Sequence, residues 1–185
     1  MSKVHLIKGK DKFGREKNCY YSDSFIGEDT LLMSNMCEYC DKFAKEEFGY
    51  TGPFNKKLFI ETFFNSDCRH YMEDGDPKLL CQSSAETFEN YVRVDLNSDC
   101  SVFNNGTDDT NDYAEYQLYW VGTLYAYMHY KTKLATRELV KIYPVSEAIR
   151  FYYCGHTMDI DSAWQRIKVL FDENRPFTGW GKEEA

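Results

Sequence analysis

Apolar residues recur at intervals of three and four along most of this chain, and Gly, Pro, Asn and Asp gather where those runs break. From Asp29 to Phe48 the stripe Leu32, Met36, Tyr39, Cys40, Phe43 and Phe48 predicts an amphipathic helix, stopped by Gly49 and by Gly52-Pro53. Asn55 is placed to cap the next helix, with Leu58, Phe59, Thr62 and Phe63 on one side. Asp74-Gly75-Asp76-Pro77 reads as a turn, and Ser83-Ser84-Ala85-Glu86 has capping-box spacing, opening a short helix through about Tyr91. Asp112, with Glu115 three residues on, is expected to cap the longest helix, which carries Tyr116, Trp120, Leu124, Tyr127 and Met128 and ends near Lys131. Thr136 to Ile142, Pro144 to Gly155, and a last helix capped by Asp159 or Asp161 complete the pattern. In that last helix Ala163, Trp164, Ile167 and Phe171 make one face, expected to share a core with Trp120.

Only residues 3–8 and 16–21 alternate like strands, around a polar turn with Gly9 and Gly14. The expected fold is therefore mainly α (α+β), helical with a small N-terminal β-hairpin. Three regions follow: 1–94 with the hairpin and helices, an acidic loop at 95–111, and a helical region at 112–185, which together can form one compact domain. Aromatic residues at 17% supply ample material for a core and argue against disorder.

Charge changes the picture. Between Glu73 and Glu115 stand eleven carboxylates, Glu73, Asp74, Asp76, Glu86, Glu89, Asp95, Asp99, Asp108, Asp109, Asp112 and Glu115, against only Lys78 and Arg93. That segment carries −9 while the whole chain carries −8, so everything else nearly balances. The hairpin leans the other way, with Lys3, Lys8, Lys10, Lys12, Arg15 and Lys17. Segregated charge steers encounters with oppositely charged partners and rejects like-charged ones. Carboxylates flanked by Tyr91 and Phe103 suit a surface that docks on an Arg- and Lys-rich groove. Such a surface mimics nucleic acid, so a basic protein partner is expected and direct nucleic-acid binding is not.

Complete catalytic motifs are missing. Cys37-x-x-Cys40 with Cys68-x-His70 is a weak zinc candidate, because the first pair sits inside a helical stripe and the second has a cramped spacing. Asp95-x-Asn97-x-Asp99 opens like a calcium loop but has Cys100 where Gly is required and Gly106 where a bidentate Glu is required. Cys154-Gly155-His156, with Asp159 beyond, is the alternative enzymatic reading; a helix end packed into the core explains it better. No phosphate-binding glycine loop or Ser nucleophile elbow occurs. Seven cysteines, an odd number, argue against a disulfide framework. The start of the chain lacks a signal-peptide pattern, and no run approaches the ~20 apolar residues of a membrane span. A cytoplasmic protein with neither cofactor nor membrane association is expected.

Tyr119-Trp120-Val121-Gly122, Tyr125 to Tyr130, Glu138-Leu139-Val140-Lys141, Pro144 and His156-Thr157-Met158-Asp159 resemble a pattern in small, uncharacterised bacterial proteins of toxin–antitoxin and phage-defence neighbourhoods. The resemblance covers about residues 112–171 and implies no catalytic residues. In size, acidity and lack of an active site the chain is also similar, as a class, to anti-CRISPR proteins that inhibit Cas9. Together these imply an acidic antitoxin or anti-CRISPR type of inhibitor, acting by protein–protein interaction and without turnover on a CRISPR nuclease or a toxin.

Overall fold

The computed structural model describes residues 4–10, 16–104 and 113–172, with side chains for 27–76, 78–104 and 113–171. The fold is mainly helical. In chain order the helices are α1 (Asp23–Phe48), α2 (Lys56–Phe64), α3 (Asp67–Glu73), α4 (Pro77–Leu80), α5 (Ser84–Asp95), α6 (Gln117–Thr132), α7 (Thr136–Ile142), α8 (Val145–Gly155) and α9 (Ile160–Asp172), with a 3-10 turn at Cys100–Phe103. The side chains of the basic hairpin, residues 105–112 and residues 173–185 lie outside the described residues.

Local signals account for most of the boundaries. Asn55 Oδ1 accepts the Leu58 amide at 2.8 Å and starts α2. Ser83 and Glu86 form the complete capping box of α5. Asp159 accepts the Ser162 amide at 2.9 Å at the start of α9. Gly49, at φ +64°, takes the chain out of α1.

Two expectations need correction. The longest helix is α1, with 26 residues against 16 in α6. Helix α6 begins at Gln117, after Tyr116 in a left-handed conformation, and Gln117 itself ties the start down. Its side chain accepts the Ala114 amide and donates to the Ile149 carbonyl. The turn expected at Asp74-Gly75-Asp76-Pro77 is present, with Gly75 at φ +74°, and it joins the short helices α3 and α4, which are too short to show periodicity.

Helices α1 and α6 make the central pair. They come so close that a Cβ on Gly122 would lie 2.5 Å from the Met33 carbonyl oxygen and 2.7 Å from the Ser34 Cα. Only glycine allows that approach. One residue on, the hydroxyls of Ser34 and Thr123 hydrogen-bond across the crossing at 2.8 Å.

Residues from both halves of the chain share a single hydrophobic core. Its centre is Phe59 of α2, whose ring lies 5.3–5.8 Å from those of Phe63, Phe88, Tyr91 and Phe103. Phe64 meets Tyr125 at 4.7 Å and joins this cluster to α6. Each such ring withdrawn from water stabilises the fold by ~2–3 kcal/mol, which explains what the aromatic richness is for. Trp164, Leu124, Met128 and Ile167 are buried as expected, but Trp120 is only half-buried. Its indole packs on Phe151 and Tyr152 at the edge of α8.

Candidate functional site

The acidic segment divides into three parts in space. Glu73 is interior, with 6% of its surface exposed. Tyr91 and Phe103 are interior too, held by the rings around Phe59. These three therefore do not belong to an outward docking surface: their helix faces carry the apolar stripe, and burial follows the stripe. Asp108, Asp109 and Asp112 lie outside the described residues.

The remaining carboxylates reach solvent, and most also serve local structure. Asp76 accepts the Lys78 amide, Glu86 closes the capping box, and Asp99 accepts the Ser101 amide at the 3-10 turn. Glu89 pairs with Arg93 one turn on, at 2.7 Å. Much of the negative charge is thus where short helices begin, because unsatisfied amides and the helix dipole favour carboxylates there. Glu86, Asp95 and Asp99 are exposed and Glu89 is half-buried, all along α5 and the turn after it; Asp74 and Asp76 are half-buried. The exposed apolar groups beside the α5 carboxylates are Val94 and Val102, at 79% and 44%, instead of Tyr91 and Phe103.

Behind this face lies a buried ionic network that no motif announced. Arg69 of α3 forks onto Asp29 of α1, with Nη1–Oδ1 at 2.5 Å and Nη2–Oδ2 at 3.1 Å. Its Nε reaches Glu73 Oε1 at 3.2 Å and the Thr136 hydroxyl at 3.1 Å. Glu73 Oε1 in turn accepts the Thr136 amide at 2.6 Å and the Thr136 hydroxyl. The residue before Thr136 is Ala135, which has no capping side chain, so α3 supplies the carboxylate that caps α7. His129 Nδ1 donates to the Leu134 carbonyl, 2.8 Å away, and stands 3.9 Å from Glu73. Burial pushes the Glu73 carboxyl up, but Arg69, His70, His129 and Thr136 outweigh it and hold the pKa down at about 2. The Glu73 carboxylate in turn raises the pKa of His70, 3.9 Å away. Side chains of Asp29, Arg69 and Glu73 are at most 4% exposed. This network, closed to solvent, ties α1, α3, α6 and α7 together. Only the i,i+4 spacing of Arg69 and Glu73 was visible in the sequence.

A second feature opens to solvent. Thr62, Asn65, Ser66, Asp67, Tyr91, Val94, Asp95 and Leu96 line an open cleft of about 560 Å³ between the α2–α3 junction and the end of α5. Asp95 Oδ2 accepts the Cys68 amide at 3.3 Å. Partial burial raises the Asp95 pKa, the Cys68 amide opposes this, and Asp67 adds to it. The Tyr91 hydroxyl is buried there without a hydrogen-bond partner among the described residues. Burial pushes its pKa up, and Asp95 and Cys68 push it further.

Cys37 and Cys40 lie on the buried face of α1, and burial pushes both thiols up. Cys68 is buried against Asp95, its pKa raised by burial to about 12, while His70 faces Glu73. Among the described residues no group of three or more His, Cys, Asp or Glu is arranged to hold a metal. Cys154 is exposed, and its thiol reaches the Phe151 carbonyl at 3.3 Å. His156 stacks on Tyr152 and bonds that residue's carbonyl, and Asp159 caps α9. The bonds of Cys154 and His156 end on carbonyls of α8 and those of Asp159 on Ser162 of α9, so these bonds do not link the three to one another.

Compared with models of protein families, with curated proteins and with solved structures, the chain has no significant match. None of the described helices is long and apolar enough to cross a membrane.

Proposed function

We propose that this protein is an acidic inhibitor that binds, without turnover, a basic nucleic-acid-handling effector such as a CRISPR nuclease or a toxin. The observation that carries the reading is the face of α5 and the turn after it. There Glu86, Glu89, Asp95 and Asp99 accompany the exposed Val94 and Val102. Carboxylates at a rim around small apolar contacts favour rapid capture of a cationic groove. The tied interior behind the face supports the reading, because a preorganised surface loses little conformational freedom on binding. The basic hairpin, with Val4–Lys10 antiparallel to Glu16–Ser22, belongs to the proposal as an element at the opposite charge extreme. Cytoplasmic location belongs to it as well.

The test is a titration of nuclease activity from guide-loaded Cas9, and of a ribonuclease toxin, against the purified full chain. Activity is expected to reach its floor at a fixed molar ratio, since a binder silences only as many effectors as it occupies. Reversing charge at Glu86, Glu89, Asp95 and Asp99 together is expected to slow association and flatten its salt dependence. Inactivation of excess effector by a small catalytic fraction of the protein, abolished by Cys154→Ser in a folded variant, sinks the binding proposal and favours an enzyme.

A further inference from the structure

We propose that the cleft between the α2–α3 junction and the end of α5 is a seat for an arginine side chain of a basic partner. The inference deepens the binding role proposed above and rests on it for the source of the arginine.

Three observations converge. The first is an excess of acceptors. Asp67 and Asp95 line the cleft, and neither is paired with a cation among the described residues. The carboxylate of Asp95 is held at the wall by the Cys68 amide on Oδ2. The second is Tyr91. Its side chain has no exposed surface and its ring is wedged edge-on between Phe59 and Phe63, yet its hydroxyl has no partner among the described residues. A buried hydroxyl without a hydrogen bond costs about 1–3 kcal/mol, and Tyr91 is one of the residues that line the open cleft. The third is the composition of the rim. Val94, exposed at 79%, and Leu96 offer apolar surface beside the carboxylates.

Those features match an arginine in particular. A guanidinium presents several donors in one plane, enough for a carboxylate and a hydroxyl together. Its methylene stem covers apolar surface such as Val94. A lysine ammonium is more strongly hydrated and lacks the planar fork. An anion is rejected by Asp67 and Asp95. The α5 carboxylates outside the cleft then serve the encounter, while the cleft serves residence, as desolvated charge pairs do.

The test uses the full chain, uniformly labelled with nitrogen-15, and the peptide Ac-Gly-Arg-Gly-amide as probe, with Ac-Gly-Lys-Gly-amide beside it. Titration of the arginine peptide is expected to give saturable amide shifts confined to Asn65–Cys68 and Val94–Leu96. Asp95→Asn is expected to weaken that binding about tenfold or more, since it removes a charge-assisted bond. It keeps an oxygen for the Cys68 amide, so the fold is retained. Tyr91→Phe, which breaks no hydrogen bond within the protein, is expected to weaken binding severalfold at unchanged stability. The assignment is overturned by shifts that do not saturate or that spread over the whole acidic face. It is overturned equally by affinity unaffected by Asp95→Asn, or by lysine binding as well as arginine. Loss of effector inhibition on charge reversal at Glu86, Glu89 and Asp99, with peptide binding intact, separates this site from the function it is proposed to serve. Peptide binding without any effector inhibition leaves the cleft standing and removes the inhibitor role.

Discussion

Replacing Arg69 by Met removes the guanidinium from a buried pair of carboxylates and leaves a side chain of similar length. In the native protein Asp29 and Glu73 are both within 3.2 Å of the guanidinium, and all three side chains are at most 4% exposed. Breaking a buried ion pair by deleting one partner costs about 3–5 kcal/mol. The Thr136 bonds to Glu73 persist, which places the expected loss toward the lower end, about 3 kcal/mol. For a domain of this size that lowers the melting temperature by roughly 6–12 °C.

The pH dependence gives the sharper test. In the native protein Glu73 titrates near 2, below its ordinary 4.5, so its stabilisation is present above about pH 4.5 and is lost as pH falls toward 2. In Arg69→Met the guanidinium no longer holds the Glu73 carboxyl down, so its folded pKa rises above the native value. The gap between native protein and variant then narrows as pH falls through the variant's raised value. Urea midpoints followed by tryptophan fluorescence between pH 5 and 8 measure both. A gap near 3 kcal/mol at pH 7 that narrows toward pH 5 is expected. A gap below about 1 kcal/mol, independent of pH, refutes the claim that these charges are buried and dependent on Arg69.

Other outcomes follow from the same structure. Gly122→Leu puts a side chain into the Met33 and Ser34 backbone and is expected to cost at least about 1–3 kcal/mol, read as a fall in melting temperature. Ser83→Ala opens the α5 capping box and is expected to cost about 1 kcal/mol by urea denaturation. A brief N-ethylmaleimide pulse followed by mass spectrometry should label Cys81 and Cys154 in the native protein. Cys37, Cys40, Cys68 and Cys100 should label only after denaturation. Rapid native labelling of Cys37 or Cys40 would show that the inner face of α1 opens.

Local chemistry was legible from residues alone. The caps at Asn55, Ser83 and Asp159 are short-range hydrogen bonds between residues three apart, so sequence spacing contains them. The stripe of α1 and the boundaries of α7 are likewise periodic, and Cys40 was readable as core. The acidic density of residues 73–115 was readable too, but not its division. Whether Glu73 faces solvent or Arg69 depends on where α1 and α7 pack against α3, a contact forty and sixty-three residues away along the chain. The same holds for Tyr91 and Phe103, whose rings became core because α2 supplied Phe59 between them. The cleft at Asp67, Tyr91 and Asp95 exists only where the α2–α3 junction meets the end of α5. Charge and periodicity are properties of a segment, and a sequence displays them. Desolvation and partner geometry are properties of packed neighbours, and only tertiary structure decides which carboxylate is a tie, which a cap and which a free acceptor.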